Sequence, residues 1–382
     1  MKKKKKGSHK ILLLYLILLI GGGLLGWIGS ELGLFDRLLS GTPTQVMLSF
    51  LVLFVSLLVA NLLHVIIHEG GHLCLGLLTG YRFVSFRVGP VMLIRKHSKL
   101  RWARYALAGT AGQCLMSPPS LEGGRFPMML YNLGGSLFNL IFAALSIALW
   151  ALVGRATFWE PFLLLSGLIG LFYAVVNGLP LRIGGISTDG RNAFFLRKDP
   201  VAMHGLWLQL RVNALQADDV RLRDMPGEWF DLLEGADCGN PLVASIAVLQ
   251  CNRQTDLHDF EKAQAESRKL VSLPTLLPIY RLELQSDLLY YELISTCKQA
   301  ALERLATPDL LKYLTNKSTL PNHERTLYAY ALLANNDPDE AALHRKAIDQ
   351  MARHYPYCGE LEGERELLAI ADSVYASRSV SE

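Results

Sequence analysis

Hydrophobic residues are concentrated in roughly the first 180 positions of the chain. Four apolar stretches in this part are long enough to cross a bilayer, which takes about 20 apolar residues in a helix. They cover residues 11–29, 46–78, 129–153 and 161–181. The pattern therefore predicts a polytopic membrane bundle of about four spanning helices.

From about residue 200 onward, the apolar positions recur with helical spacing and turn signals such as Asn336-Asp337-Pro338 separate the segments. The predicted helices cover residues 201–216, 241–253, 257–271, 275–300, 323–335, 338–353 and 360–376. The stretch 327–341 resembles half of a tetratricopeptide-type helical pair, but no clean period follows, and an unrelated helical bundle is the alternative. We therefore expect residues 201–382 to form a soluble all-α domain.

The connection between the second and third apolar stretches contains two short β-prone runs, residues 83–88 and 91–95, around Gly89-Pro90. They predict a small β-hairpin near the membrane surface, with a basic loop that touches anionic lipid as the alternative. The predicted fold class is therefore mainly α. It comprises an N-terminal basic segment, first span and outside loop (1–45), a membrane core (46–200) and the helical domain.

Composition agrees with a membrane protein, because 51% of the residues are hydrophobic and the mean hydropathy is +0.25. The six cysteines include no CxxC pair, which argues against a disulfide framework or a cysteine-based zinc finger. The net charge of +4 is small. We expect the lipid bilayer as a partner, a cytosolic protein as a partner of residues 201–382, and no nucleic acid.

The basic residues predict the orientation of the spans. The loop between the second and third stretches carries eight Lys and Arg residues against one acid, Glu122, and another basic cluster follows residue 181. By the positive-inside rule, both lie on the side of Lys2–Lys6. We therefore expect a multi-pass protein of a bacterial cell membrane with both termini in the cytoplasm. The first stretch is interpreted as a retained helix, and a cleaved signal peptide is the alternative.

The strongest chemical signal is His68-Glu69-Gly70-Gly71-His72 inside the second stretch. Residues four apart share a helix face, so two imidazoles can bind one zinc ion, and the glutamate can act as general base on a water that the metal activates. Ionisable groups are costly inside a span, which favours function over a purely structural histidine pair. The two glycines permit close approach of another backbone. His64, one turn earlier, is interpreted as a residue that supports the ligands or packs beside them, and a third metal ligand is the alternative.

Zinc needs a third protein ligand and an open position. The fourth stretch ends in Asn177-Gly178-Leu179-Pro180, Asp189-Gly190 follows, and the third contains Gly134-Gly135-Ser136-Leu137-Phe138-Asn139. Together with the histidine motif, these elements resemble the site-2 protease family of intramembrane zinc metalloproteases, over residues 45–195. The resemblance implies that His68, His72 and Asp189 hold zinc, that Glu69 is the base, and that Asn139 and Asn177 contact substrate or the scissile carbonyl. An interhelical hydrogen bond is the alternative for Asn139.

One departure from the family pattern concerns the third ligand. Eight residues, 181–188, separate Pro180 from Asp189, and this connection is longer than in the family. The Gly184-Gly185 pair could form an extra turn that returns Asp189 to the metal. Alternatively, Asp189 only caps the helix that follows.

These observations predict a zinc-dependent intramembrane protease that cuts other membrane proteins in or near their transmembrane segments. A catalytically inactive membrane scaffold, acting through residues 201–382, is the alternative and would be indicated by a broken histidine motif. A metal transporter would need polar residues in several spans, whereas the spans outside the histidine motif are almost free of charge.

Overall fold

The computed structural model describes residues 23, 26–27, 29–31, 33–105, 110–153, 159–183, 186–232, 236–316 and 320–379. Most of the predicted first span, 11–29, lies outside these residues, as do Lys2–Lys6 and the Gly184-Gly185 pair. The described residues are mainly α-helical, with a four-stranded and a two-stranded antiparallel sheet. The predicted mainly-α class is therefore confirmed.

Three helices among the described residues are long and apolar enough to cross a membrane. The helices of this region are α1 (Leu34–Leu39), α2 (Pro43–Leu78), α3 (Met129–Val153) and α4 (Glu160–Gly178), and the last three are the candidate spans. They correspond to the second, third and fourth predicted stretches. Large apolar side chains on them are exposed, for example Phe54 at 57% and Ile141 at 54%. Water would disfavour such a surface, which supports a membrane protein.

The segment between α2 and α3 forms a four-stranded sheet in the order β3-β2-β1-β4. Its strands are β1 (Arg82–Val88), β2 (Val91–Lys96), β3 (Lys99–Arg104) and β4 (Gly112–Ser117). The predicted hairpin is the β1–β2 pair, which turns at Gly89 with φ 55°. A second tight turn at His97 and Ser98, both with positive φ, leads into β3. Strand β4 was not predicted and pairs with β1 at the edge of the sheet.

A short hairpin and a series of helices follow α4. The elements are β5 (Arg182–Ile183), β6 (Ile186–Ser187), α5 (Asp189–Phe195), α6 (Pro200–Ala217), α7 (Pro241–Asp256), α8 (Phe260–Val271), α9 (Pro278–Ile294), α10 (Gln299–Leu305), α11 (Pro308–Leu314), α12 (Pro321–Leu333), α13 (Pro338–Met351) and α14 (Cys358–Ser379). The predicted helix over 275–300 is α9 together with the start of α10. The short helices α5, α10 and α11 were not predicted.

Several of these helices begin with one local pattern, a polar residue followed by proline. Asp199, Asn240, Thr307 and Asp337 each accept a hydrogen bond from a backbone N–H of the first turn. Proline then occupies the first helical position, where its missing N–H costs nothing and its fixed φ suits the helix. The sequence therefore determines where α6, α7, α11 and α13 start.

The sheet and the following helices share hydrophobic cores. One core joins Tyr81 and Met116 to Leu206 and Trp207 of α6. Another joins Met92 and Ile94 to Ala217 and Tyr357, and a third lies among α8 to α14.

By internal contacts, the described chain divides into two compact units. One comprises residues up to Leu63 with Ala144–Ile169, and the other comprises His64–Ala143 with the chain from Gly170 onward. All residues of the predicted site belong to the second unit. The domain boundaries predicted at 45 and 200, and the tetratricopeptide resemblance, stay predictions.

Candidate metal centre

Helix α2 places His68 and His72 one turn apart on the same face. The Nε2 atoms of the two rings are 3.2 Å apart. The Nδ1 of His72 lies 2.7 Å from the backbone carbonyl oxygen of Tyr131 in α3. A carbonyl can only accept, so this Nδ1 carries a proton. Nε2 is therefore the ring atom of His72 that is placed to bind a metal.

Asp189 completes the group. Its Oδ2 lies 3.3 Å from Nε2 of His68 and 3.5 Å from Nε2 of His72. One ligand atom from each of the three residues lies within 4.8 Å of the others, so the group could hold a metal ion. The structure thus brings together the three residues that the sequence predicted as ligands.

The carboxyl of Asp189 lies in a mostly buried environment. Burial alone would raise its pKa, but the electrostatic interaction with His72 and the contacts with both imidazoles hold the pKa well below its usual range. The group is therefore a carboxylate at neutral pH, as a metal ligand must be.

The long connection before Asp189 folds back on itself. Strands β5 and β6 pair Arg182 with Ser187 and Ile183 with Ile186. The next residue, Thr188, donates its hydroxyl to the Leu179 carbonyl at 2.6 Å, and its backbone N–H donates to the Leu181 carbonyl at 3.1 Å. The additional residues are therefore taken up by a hairpin, and the chain returns to the end of α4.

Thr188, and not Asp189, is the N-cap of α5, where its hydroxyl accepts from the Arg191 N–H. The alternative interpretation, in which Asp189 only caps a helix, is therefore wrong. Gly190 fixes the start of α5, because a Cβ there would lie 1.9 Å from the Gly178 carbonyl oxygen. The Asp-Gly pair thus combines a candidate ligand with a residue small enough to pack α5 on the end of α4.

A hydrogen-bonded chain lies behind His68. The fully buried amide of Asn139 in α3 has Nδ2 at 3.1 Å from Nδ1 of His68 and Oδ1 at 2.9 Å from Nδ1 of His64. His64 is itself fully buried, and a Cβ on Gly170 of α4 would lie 2.3 Å from its ring. Asn139 therefore joins α3 to α2 by hydrogen bonds and links His64 to His68, while the supporting role of His64 stays a prediction.

Glu69 lies beside the ligand group and is only 9% exposed. Its carboxylate hydrogen-bonds to the backbone of Cys114 in β4 and interacts electrostatically with His68, His72 and Asp189. A Cβ on Gly112 would lie 2.8 Å from Glu69 Oε1. Strand β4 therefore forms one wall at Glu69, and sequence analysis missed it because the strand itself was not predicted.

The glycines of α2 and α3 let the two backbones meet. A Cβ on Gly71 would lie 2.2 Å from the Gly134 carbonyl oxygen, and a Cβ on Gly135 would lie 2.4 Å from the His68 ring. By contrast, a Cβ on Gly70 would meet nothing within 4 Å. The expected close approach of a neighbouring helix is therefore present at Gly71, whereas Gly70 has free space beside it.

Asn177 lies at the end of α4 and donates its side-chain amide to the Tyr173 carbonyl at 3.1 Å. Within the described structure, no hydrogen bond or ion pair joins Asn177 to the three ligands. The substrate-contacting roles of Asn177 and Asn139 stay predictions.

Comparison with protein-family models, curated proteins and solved structures gives no match to this chain. The functional argument therefore depends on the residues and geometry of the site itself.

Proposed function

We propose that this protein is an intramembrane zinc peptidase that hydrolyses peptide bonds in or near transmembrane segments of other membrane proteins. One observation carries the proposal. Two imidazole nitrogens and a carboxylate oxygen converge beside a mostly buried glutamate, and three of these four residues lie on a helix apolar enough to cross a membrane.

The donor set and its spacing suit zinc. Zn–N bonds of about 2.0–2.1 Å and tetrahedral angles put ligand atoms roughly 3.3 Å apart. The separations in the structure are 3.2, 3.3 and 3.5 Å. Two histidines and one carboxylate are also a ligand set of catalytic zinc sites, where the fourth position stays open. His68, His72 and Asp189 would therefore hold the ion.

The bound metal and Glu69 would have different roles in peptide hydrolysis. When bound, zinc would supply a Lewis acid that polarises the scissile carbonyl and makes water more acidic. Glu69 would accept a proton from that water and transfer it to the leaving amine as general acid. Burial of Glu69 against β4 would hold the carboxylate in place beside the ligands.

The substrate class follows from where the site lies. His68 and His72 belong to α2, the most apolar of the candidate spans. A water-soluble protein substrate has little access to such a surface, whereas a membrane segment, locally unwound to expose its backbone, can approach from the bilayer. The basic loops on one side of the spans favour a multi-pass protein of a bacterial cell membrane with cytoplasmic termini. Residues 201–382 would then meet cytosolic partners.

The test compares active protein with Glu69→Gln, which changes the proton acceptor and keeps the ligands. Purified Glu69→Gln should retain about one zinc per chain by metal analysis, whereas His68→Ala should lose it. Quantitative proteomics of membrane peptides should show cleavage products in cells that express active protein and none in cells that express Glu69→Gln.

Glu122→Gln is the matched control, because Glu122 is exposed in the loop before α3. It should leave both zinc content and cleavage unchanged. Identical peptide profiles for active protein and Glu69→Gln would contradict the proposal.

A further inference from the structure

A cavity of about 570 Å³ lies among the helices of the second compact unit. Its walls come from α6, α7, α9, α12 and α14, and Gln113 and Leu115 of β4 close one side. It shares no residue with the metal centre. Its volume is within the range of small-molecule and peptide side-chain sites, roughly 300–1,000 Å³.

The charged groups that line the cavity are predominantly acidic. They are two guanidinium groups and five carboxyl groups, namely Arg221, Arg325, Asp256, Glu283, Asp287, Glu360 and Glu364. Asp256 pairs with Arg221 at 2.5 Å, and Asp287 pairs with Arg325 at 2.5 Å. Arg325 also lies 3.4 Å from Glu364, so the two cations face five carboxyl groups. Glu283 is held by His323, Asn322 and Tyr313.

The other two, Glu360 and Glu364, lie one turn apart on α14. Glu360 accepts a hydrogen bond from the Tyr355 hydroxyl at 3.0 Å and forms no ion pair with any described residue. Glu364 is 9% exposed, and its Oε2 accepts no hydrogen bond in the described part of the chain, although the already paired Arg325 lies 3.4 Å away. Burial raises the pKa of each carboxyl to about 7, and acidic neighbours add to the shift. Carboxyl groups therefore outnumber cations at this end of the cavity, and Glu360 has no cationic partner among the described residues.

Three tyrosines surround the same end. Tyr105, Tyr355 and Tyr357 pack edge to face, with ring centroids 5.6 to 5.9 Å apart, and all three line the cavity. Organic cations are attracted to aromatic faces. Carboxylates beside tyrosine rings therefore suit an ammonium or guanidinium group.

Side-chain amides line the rest of the cavity. Asn213 and Gln216 on α6 and Asn252 on α7 face it, and none of them forms a side-chain hydrogen bond with the described residues. A carboxamide offers both donors and an acceptor, which are the groups that an extended peptide backbone needs. A free amine would contact only the carboxyl groups and tyrosines at the acidic end of the cavity. A peptide with a basic side chain would contact this end and the side-chain amides as well.

We propose that this cavity binds an extended polypeptide segment, with the ammonium or guanidinium group of a Lys or Arg side chain held by Glu360, Glu364 and the three tyrosines. The side-chain amides of α6 and α7 bind its backbone. The proposal holds whether or not the metal centre is catalytic.

The experiment uses the full chain in detergent micelles and a short fluorescent peptide of Gly, Ser and Ala with one central Arg. The comparison peptide carries citrulline, which keeps the shape and removes the charge. The Arg peptide should bind at least about tenfold more tightly than the citrulline peptide, because a buried charge pair is lost in the second case. Glu360→Gln should abolish this preference.

Glu362→Gln is the matched control, because Glu362 lies on the same helix and is exposed. It should bind both peptides as the unaltered protein does. Asn252→Ala should weaken both peptides alike and keep the preference for Arg, which provides a second variant that leaves the carboxyl groups intact.

Three results would overturn the proposal. The first is equal binding of the Arg and citrulline peptides. The second is loss of the Arg preference in Glu362→Gln as well as in Glu360→Gln. The third is binding of spermidine by a protein that does not bind the Arg peptide. The last result would assign the cavity to a free amine.

Discussion

The imidazoles of His68 and His72 each contact one polar group of α3 through Nδ1. The Tyr131 carbonyl oxygen accepts the Nδ1 proton of His72, and the Asn139 amide contacts Nδ1 of His68. If the Asn139 amide is rotated by 180°, so that Oδ1 and Nδ2 change places, both of its contacts with the histidines are kept. Oδ1 then accepts from Nδ1–H of His68, and Nδ2 donates to His64. In that arrangement Nδ1 of both imidazoles carries a proton, and Nε2 of both, beside Asp189, is the atom that would bind a metal.

We therefore predict that Asn139→Ala weakens zinc binding by about 10- to 100-fold, the usual effect of removing a group that orients a metal ligand. The measurement is zinc affinity by competition with a chelating dye, at a temperature where the variant is folded. Asn177→Ala is the control, because among the described residues the Asn177 side chain donates only to the Tyr173 carbonyl in its own helix. Equal zinc affinity in Asn139→Ala and the unaltered protein would rule out this role.

At the residue level, the sequence revealed the three side chains that form the candidate metal centre. His68 and His72 follow from their spacing, and Asp189 follows from the resemblance and is brought to them by the structure. The Tyr131 carbonyl could not be predicted, because a backbone group leaves no mark in the sequence. The backbone contact between Cys114 and Glu69 was missed for the same reason.

Among the elements, the close approach of Gly178 and Gly190 sets the position of Asp189. The end of α4 meets the start of α5 where Gly178 faces Gly190, and Asp189 is the first residue of α5. A side chain at position 190 would push these elements apart, since its Cβ would fall 1.9 Å from the Gly178 oxygen. The Asp189 carboxylate would then move relative to the imidazoles.

We expect Gly190→Ala to reduce zinc occupancy markedly in protein that still folds and inserts. Gly70→Ala provides the comparison, because it makes the same change on α2 where a Cβ meets nothing within 4 Å. It should bind zinc normally and gain up to about 1 kcal/mol of helix stability. The measurement is the zinc content of the two purified variants. Full zinc occupancy in Gly190→Ala would contradict the claim that the Gly178–Gly190 contact positions Asp189.

Long elements were predictable, and short ones were not. Hydrophobicity alone located α2, α3 and α4, and the β-prone runs around Gly89-Pro90 located the first hairpin. Helices α5, α10 and α11 have seven residues each, about two turns, so they show too little periodicity to detect. Strand β4 depends on pairing with β1 across more than twenty residues, which local sequence does not reveal.

At the scale of the whole described molecule, the sheet and the helices after residue 200 are joined by polar contacts as well as by shared cores. Lys96, at the end of β2, pairs with Asp219 at 2.8 Å and donates to the Pro356 carbonyl. The side chain of Asp219 also accepts from the N–H of Cys358, the first residue of α14. The acidic cavity therefore lies within one packed unit with β4.

Two carboxyl groups that line this cavity make the stability of the folded protein depend on pH. The pKa values of Glu360 and Glu364 are raised from 4.5 to about 7 in the folded protein. The folded state therefore holds protons that the unfolded state has released. This contribution to stability is fully present below about pH 4.5 and is lost as the pH rises through 7.

We therefore predict that the apparent melting temperature of the full chain in detergent depends less on pH in Glu360→Gln than in the unaltered protein, measured by tryptophan fluorescence between pH 5.5 and 8.5. Gln cannot ionise, so the variant should be more stable at pH 8.5 by on the order of 1–3 kcal/mol, which is a shift of several degrees.

The control is Glu362→Gln, which is exposed on the same helix and should follow the unaltered protein at every pH. Glu364 titrates in the same range, and removal of the Glu360 charge weakens the repulsion between them, which reduces the pH dependence further. Parallel pH profiles for Glu360→Gln and Glu362→Gln would show that Glu360 is ionised in the folded protein at neutral pH without cost, and the argument that Glu360 needs a cationic partner would lose its support.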